Sequence, residues 1–477
     1  MKTTDKLILI SGLAYGILFY QQDFGANFLI YSIIQLIGIF LISEKEKRNQ
    51  NWWLSFAGVA LAATGVFLNG SFLAVFANIV SLFILASLTV ESRSSVVVSI
   101  IQSIYSLFTG MAFIIIGIAD KVMNKSGIKS KSRGFKNSII FLVSSVVAIV
   151  FFALYRNANP AFKEFTNQID LSFISMGWIG FTLLGYYFVY QMYKHNRIEQ
   201  LTEYDVNAAD SISPSSKPTK MEGMMSVDSE VRWAKTLLIM LNSLLVLVLV
   251  VDTSYFSGLY KLSSEVSHSA AVHQGIDALI FSIVLAVAII LFFFKGRLNF
   301  ISNNNTVKYL ALAWVVQNVV LVLFTGLKNV EYVQEYFLTY KRIGVFVYLL
   351  CCIVGLVYTF LKIYDVKSNW FLVRRVGWSL YALSIFTPLV NWDAFIINYN
   401  FSAAHSEPTH LDMNYMLSLP RVNYPLIKNH LKTYNGEIDQ LVLTKLDDIT
   451  QNKKYFDVSD WRSFNMRKYY AFKTITP

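Results

Sequence analysis

Charge is what this chain lacks most. Only 15% of its residues are Asp, Glu, Lys or Arg, against about 25% in soluble domains, and that shortage excludes the soluble classes. Cysteine is nearly absent: Cys351 and Cys352 stand side by side in an apolar run, which is poor geometry for a disulfide and leaves no thiol-based metal site. There is no Walker loop, no dinucleotide-binding glycine pattern and no Gly-x-Ser-x-Gly elbow, so the sequence argues against an enzyme, although a membrane transferase with acids dispersed between helices stays open. The hydropathy shows no internal repeat of the kind that marks transporters built from inverted halves. No cofactor and no metal are expected.

What fills the chain is apolar: 55% hydrophobic and 15% aromatic residues, with a mean hydropathy of +0.47. The apolar residues gather in runs near the roughly 20 residues a helix needs to cross a bilayer. Backbone at that depth must satisfy its own hydrogen bonds, so the expected fold is all-α, a polytopic transmembrane bundle of about 11–12 spans with a small, mostly helical extracytoplasmic tail. The spans fall near residues 7–20, 27–43, 53–68, 71–90, 95–119, 138–155, 172–193, 234–252, 276–294, 308–327, 342–363 and 376–396. The first resembles a signal peptide but lacks a small-residue cleavage site, and is read as a retained helix.

The formal charge of +11 reflects topology rather than nucleic acid, because the basic residues cluster in short loops and basic loops stay cytoplasmic. Residues 121–137 carry Lys121, Lys125, Lys129, Lys131, Arg133 and Lys136 with no acid after Asp120. With that loop inside, Lys295, Arg297, Lys308, Lys362, Lys367, Arg374 and Arg375 also lie inside. Lys45, Lys47 and Arg48 fit only if one intervening segment does not cross. The candidate is 95–119, where Ser94, Ser99, Gln102, Ser103 and Ser106 interrupt the apolar run and suggest an interfacial or re-entrant segment. That gives eleven crossings, with the N-terminus cytoplasmic and the C-terminus outside; the alternative is twelve, with both termini outside.

The organisation follows: 1–137, N-terminal membrane helices with a basic loop; 138–194, a membrane helix pair; 195–232, a polar linker around Pro214 and Pro218 expected to be mobile; 233–400, C-terminal membrane helices; 401–477, a tail of short helices lying on the outer face.

An ordered series of motifs runs from the sixth span into the tail: Tyr155-Arg-Asn-Ala-Asn-Pro160-Ala-Phe162, His273-Gln-Gly275, Tyr336-Phe-Leu-Thr339-Tyr-Lys-Arg342, Asn391-Trp-Asp393 through Tyr399-Asn400, and Leu411-Asp412-Met-Asn-Tyr415-Met-Leu417. In order and spacing the block from Val143 resembles a bacterial integral-membrane family, domain of unknown function 4173, close to its relative 4153. It departs from that pattern at Trp392, where the family often has Pro, and at Asn157 and Asn159, where it often has Ser and Asp. The first 140 residues carry no such resemblance. The resemblance implies a bacterial inner-membrane location and brings no activity.

The polar residues of these motifs place a candidate substrate site at the outer ends of the later spans: Asp252, His273, Tyr336, Thr339, Arg342 and Asp393. Arg342 offers a fork of donors to phosphate or carboxylate, and ionisable groups near membrane depth mark function. The plainer alternative is that the acids cap helix ends in water and Arg342 snorkels to the interface. Glu265, His268 and His273 are not spaced as metal ligands on one helix face. His405 and His410 lack a third ligand. Gln317, Asn318 and Asn242 are expected to tie helices together, and Tyr186, Tyr187 and Tyr190 to form an interfacial belt. Two functions compete: transport or handling of a small anion or lipid-linked molecule at the outer site, and a non-catalytic subunit recruiting a protein partner through 401–477. Membrane lipids are partners on either reading.

Overall fold

The computed structural model describes residues 3–123, 151–152, 155–156, 158–167, 175–213, 227–257, 268–294, 297–300, 305–406, 411–434, 439–457 and 459–475. Among them there is no strand, only one isolated bridge between Ser211 and Lys367. The chain is all-α. Every expected span except 138–155, which lies almost wholly outside the described residues, coincides with a helix; the last one is broken, ending as a helix at Phe386 and restarting at Trp392. Among the described residues five helices are long and apolar enough to cross a membrane, or up to six if the bent pair 369–404 counts as one span. The chain divides into two compact units, 1–206 with 382–390 and 452–477, and 207–381 with 391–451.

The first unit is built on α1 (Thr3–Phe19), α2 (Ala26–Ile42), α3 (Gln50–Asn69), α4 (Phe72–Val90), α5 (Val96–Met123), α6 (Pro160–Asn167), α7 (Met176–Tyr193) and α8 (Glu199–Asn207). The α3–α4 hairpin turns on Gly70, whose φ of 56° is open to glycine, and restarts at Ser71, whose hydroxyl accepts from the Ala74 N–H. Helices α1 and α7 touch through glycines: a Cβ on Gly16 would lie 2.1 Å from Thr182 Oγ1, and one on Gly185 would lie 2.0 Å from the Tyr15 ring. Such small-residue seams replace the hydrophobic drive that lipid removes. At one end of this seam Lys194 Nζ meets the buried Asp5 carboxylate at 2.8 Å. Of the tyrosines expected at an interface, Tyr186 packs on Gly12, and Tyr187 donates to the Leu107 carbonyl.

Polar residues at the start of α5 turn out to face protein. Ser99, Gln102, Ser103 and Ser106 are all buried. Ser87 Oγ donates to Gln102 Oε1 at 3.1 Å, Gln102 Nε2 to Thr202 Oγ1 at 2.6 Å, and Ser106 Oγ to Gln191 Oε1 at 3.3 Å. The polarity that suggested a segment in the interface is thus accounted for by α4, α7 and α8. The last residues of the chain, through α18 (Met466–Ile475), also belong to this unit and bind the α1–α2 connection: Ala26 N–H donates to the Phe464 carbonyl at 2.7 Å, Asn465 Nδ2 to the Phe24 carbonyl at 2.9 Å, and Lys468 Nζ to Asp23 Oδ2 at 2.6 Å.

The second unit packs α9 (Val227–Phe256), α10 (His268–Phe293), α11 (Asn305–Tyr336) and α12 (Tyr340–Tyr364) around Leu238, Ile290, Phe294, Val315 and Leu356. Asn242 bridges helices as expected, donating to the Leu310 carbonyl at 3.1 Å, whereas Asn318 donates within its own helix. The outer face of α9 leaves Met240, Leu244, Leu247 and Val250 more than half exposed, a surface suited to lipid and not to water. Residues 208–213 of the stretch expected to be mobile run along the α12 to α13 (Asn369–Phe386) turn: Ile212 N–H donates to the Val366 carbonyl at 3.1 Å and Arg374 Nη1 to Asp210 Oδ1 at 2.6 Å. Pro214 and Pro218 lie outside the described residues. A second core joins α14 (Trp392–Ser406), α15 (Met413–Ser418), α16 (Tyr424–Leu431) and α17 (Gln440–Gln451) through Ile396, Phe401, Met416, Ile427 and Leu446.

Candidate functional site

The candidate site lies where α11 gives way to α12. Two helices joined by three residues need a sharp reversal, and it is made at Phe337, whose φ of 66° is left-handed and strained for a bulky side chain. Two side chains hold it. Arg342 Nη1 donates to the Tyr336 and Phe337 carbonyls, and its guanidinium sits 4.2 Å from the Tyr332 ring centre and 5.9 Å from that of Tyr336. From α14, Asn400 accepts the Leu338 N–H at 2.7 Å and returns its amide to the Leu338 carbonyl at 3.0 Å. The motif from Tyr336 to Arg342 and the Tyr399-Asn400 motif therefore meet in one clamp, in which a cation completes the last turn of α11.

Asp393 joins the same cluster. It is buried and accepts from the Tyr340 hydroxyl, while the Tyr340 N–H donates to Tyr415 Oη at 2.8 Å. Tyr415 is set by Asp412, which caps α15, and burial pushes its phenol pKa up. Thr339 occupies the N-cap position of α12, but its hydroxyl makes no capping bond. Asp252, near the end of α9, meets Lys328 of α11 at 2.6 Å, and Tyr255 donates to Glu331 beside it at 3.4 Å. These groups stand at the same end of the unit, since Asn329, next to Lys328, donates to the Arg342 carbonyl at 3.1 Å. His273 is in the first turns of α10 with its side chain outside the described residues, as is Glu265 altogether.

Structure thus brings Tyr336, Thr339, Arg342 and Asp393 together and places Asp252 one ion pair away. It also redistributes their roles. Arg342 turns Nη1 to backbone carbonyls and lies over Tyr332, while Lys328, paired with Asp252, keeps 35% of its side-chain exposure against 11% for Asp252. Lys328 is a charge in the C-terminal third of the long apolar helix α11, and that was the available signal for it. Replacing Asn400 by leucine should cost about 2 kcal/mol, because both backbone groups of Leu338 lose their partner in a buried site. Unfolding of the detergent-solubilised protein measures this; an unchanged midpoint would remove the clamp from the account.

A family model described as Domain of unknown function (DUF4153) matches residues 55–430. The match is thus to 4153 and not to 4173, and it takes in residues 55–140, ahead of the motif series. No curated protein and no solved structure matches.

Proposed function

Because the chain belongs to the DUF4153 family, uncharacterised in function, and has several helices fit to cross a membrane, we propose that it handles a small anion or the anionic head of a lipid-linked molecule at the charged end of its second unit. On this reading it is a multi-pass protein of a bacterial cytoplasmic membrane, with the N-terminus inside and the tail and this site outside. The observation that carries the proposal is the Asp252–Lys328 pair at 2.6 Å. A carboxylate stands on a partly exposed ammonium at the end of α9, whose apolar side is open to lipid, and an incoming phosphate or carboxylate would take the place of Asp252. Lysine suits such an exchange, as a point charge on a flexible stem.

Phosphatidylglycerol and inorganic phosphate are the probes. Native mass spectrometry of the protein in mild detergent should show phosphatidylglycerol retained by the wild type and reduced about tenfold in Lys328→Gln, equivalent to about 1.4 kcal/mol, with Lys445→Gln on α17 unaffected. A shift in unfolding temperature with phosphate alone would assign the site to a free anion. Retention of both probes by Lys328→Gln would end the proposal. The competing idea, recruitment of a partner through 401–477, meets a structural cost. Leu411, Met416, Ile427 and Leu446 are core residues of the second unit, so that tail is not a detachable arm.

A further inference from the structure

On α9 from Thr236 to Phe256 the one charged residue is Asp252, and on α11 from Tyr309 to Tyr336 the charged residues are Lys328, Glu331 and Glu335. Asp252 meets Lys328 at 2.6 Å and Tyr255 donates to Glu331 at 3.4 Å. The two contacts share one sequence offset, 76 residues, so α9 and α11 run parallel here with one turn of each facing one turn of the other. Lys328, Glu331 and Glu335 follow at intervals of three and four, the spacing that puts side chains on one face of a helix. Both glutamates are exposed. One ammonium thus stands among three carboxylates, and the neighbouring Arg342 has turned Nη1 to backbone carbonyls.

That balance discriminates among phosphates. A plain anion displacing Asp252 from Lys328 would leave Asp252 without its cation and would itself face Glu331 one turn away, and like charges so placed repel. A ligand that brings an ammonium with its phosphate removes both objections: the phosphate takes Lys328, the ammonium takes the carboxylates, and no charge loses its partner in the exchange. The surface leading to the cluster suits a lipid. Leu244, Val248 and Val251 are exposed and lie with Tyr255 at intervals of four, three and four along α9, an apolar stripe that ends at the Tyr255–Glu331 contact. Asp252 and Lys328 each stand where the apolar run of their helix stops, which is the depth of phospholipid headgroups.

We propose that this cluster recognises a phosphate ester bearing a primary ammonium, the headgroup chemistry of phosphatidylethanolamine, with Lys328 on the phosphate and Asp252, Glu331 and Glu335 around the ammonium. The inference rests on the reading of Lys328 as the phosphate ligand and narrows it. Phosphatidylglycerol offered alone still reaches Lys328; offered against phosphatidylethanolamine it loses.

Full-length protein in mild detergent, given equimolar phosphatidylethanolamine and phosphatidylglycerol, should retain the former about tenfold over the latter by native mass spectrometry. Glu331→Gln combined with Glu335→Gln should erase or reverse that preference, and Lys328→Gln should reduce retention of both lipids. Soluble O-phosphoethanolamine carries the same head without chains: displacement of the lipid by it supports a free aminophosphate as the occupant, and failure to displace supports the lipid. Equal retention of the two lipids by the wild type, with both reduced in Lys328→Gln, would overturn the ammonium assignment and leave the anion reading standing. A preference unchanged in the paired glutamine variant would overturn it too. Retention of both lipids by Lys328→Gln would end the anion reading and this inference with it. Should the paired variant fold poorly, phosphatidylcholine decides on the wild type alone. Its trimethylated amine has no N–H to give a carboxylate, so it should be held more weakly than phosphatidylethanolamine, and equal retention would overturn recognition of a primary ammonium.

Discussion

Arg342→Ala is expected to lower the stability of the detergent-solubilised protein by about 3–5 kcal/mol, among the larger effects a single substitution can have. The guanidinium donates to the carbonyls of Tyr336 and Phe337 and lies over the rings of Tyr332 and Tyr336. Its removal leaves two carbonyls at the end of α11 without a donor, beside a residue already held at positive φ. Arg342→Lys should recover less than half, since an ammonium cannot present the fork that reaches two carbonyls while stacking on an aromatic face. Chemical or thermal unfolding, monitored by circular dichroism, measures both. Sequence alone offers Arg342 as a fork of donors to phosphate or carboxylate; the geometry makes the fold the first casualty of its loss. A variant with native stability would return Arg342 to the candidate ligand groups.

That redistribution shows what kind of information the sequence carries. Spans are legible because the property that makes them, a run of apolar residues of bilayer length, is local, and the helices fall on the apolar runs accordingly. The motif from Tyr336 to Arg342 is legible as a pattern, yet its purpose depends on the left-handed Phe337, and a phenylalanine there gives no turn signal of the kind glycine or asparagine would. Polar residues in α5 are ambiguous in the same way. Ser99, Gln102 and Ser106 look alike whether they face water at an interface or the hydroxyl of Thr202 and the amide of Gln191, and only the fold of residues 191–205 against them decides. Asp252 reads as a helix-end acid until Lys328, 76 residues away, supplies its partner at 2.6 Å. For Asp252 and for the polar residues of α5 the missing term is a contact distant in sequence.

The longest of these contacts supports the other large prediction. Gly25 opens α2 in an extended conformation with a φ of −177°, so an alanine there meets no backbone strain. What it meets is the chain's own last segment: a Cβ on Gly25 would lie 2.3 Å from the Phe464 carbonyl oxygen and 2.7 Å from the carbonyl carbons of Ser463 and Phe464. Those are backbone atoms and cannot rotate aside. Either the α1–α2 connection or residues 452–475 must move, and the terminal segment is the freer, held by Arg462 on the Ile17 carbonyl, Ser463 on Gln22, Asn465 on Phe24 and Lys468 on Asp23. Lifting it breaks these together. Overpacking of this kind costs about 2–3 kcal/mol, which raises the fraction of molecules with the segment released by about two orders of magnitude and, where cleavage follows the open population, the rate of tryptic cutting at Arg462, Arg467 and Lys468 with it. Gly180→Ala is the control, since nothing lies within 4 Å of a Cβ there, and it should be digested as slowly as the wild type. If Gly25→Ala resists trypsin equally, the terminal segment does not seat on the α1–α2 connection, and the clasp that joins the last residues of the first unit to its first two helices is lost.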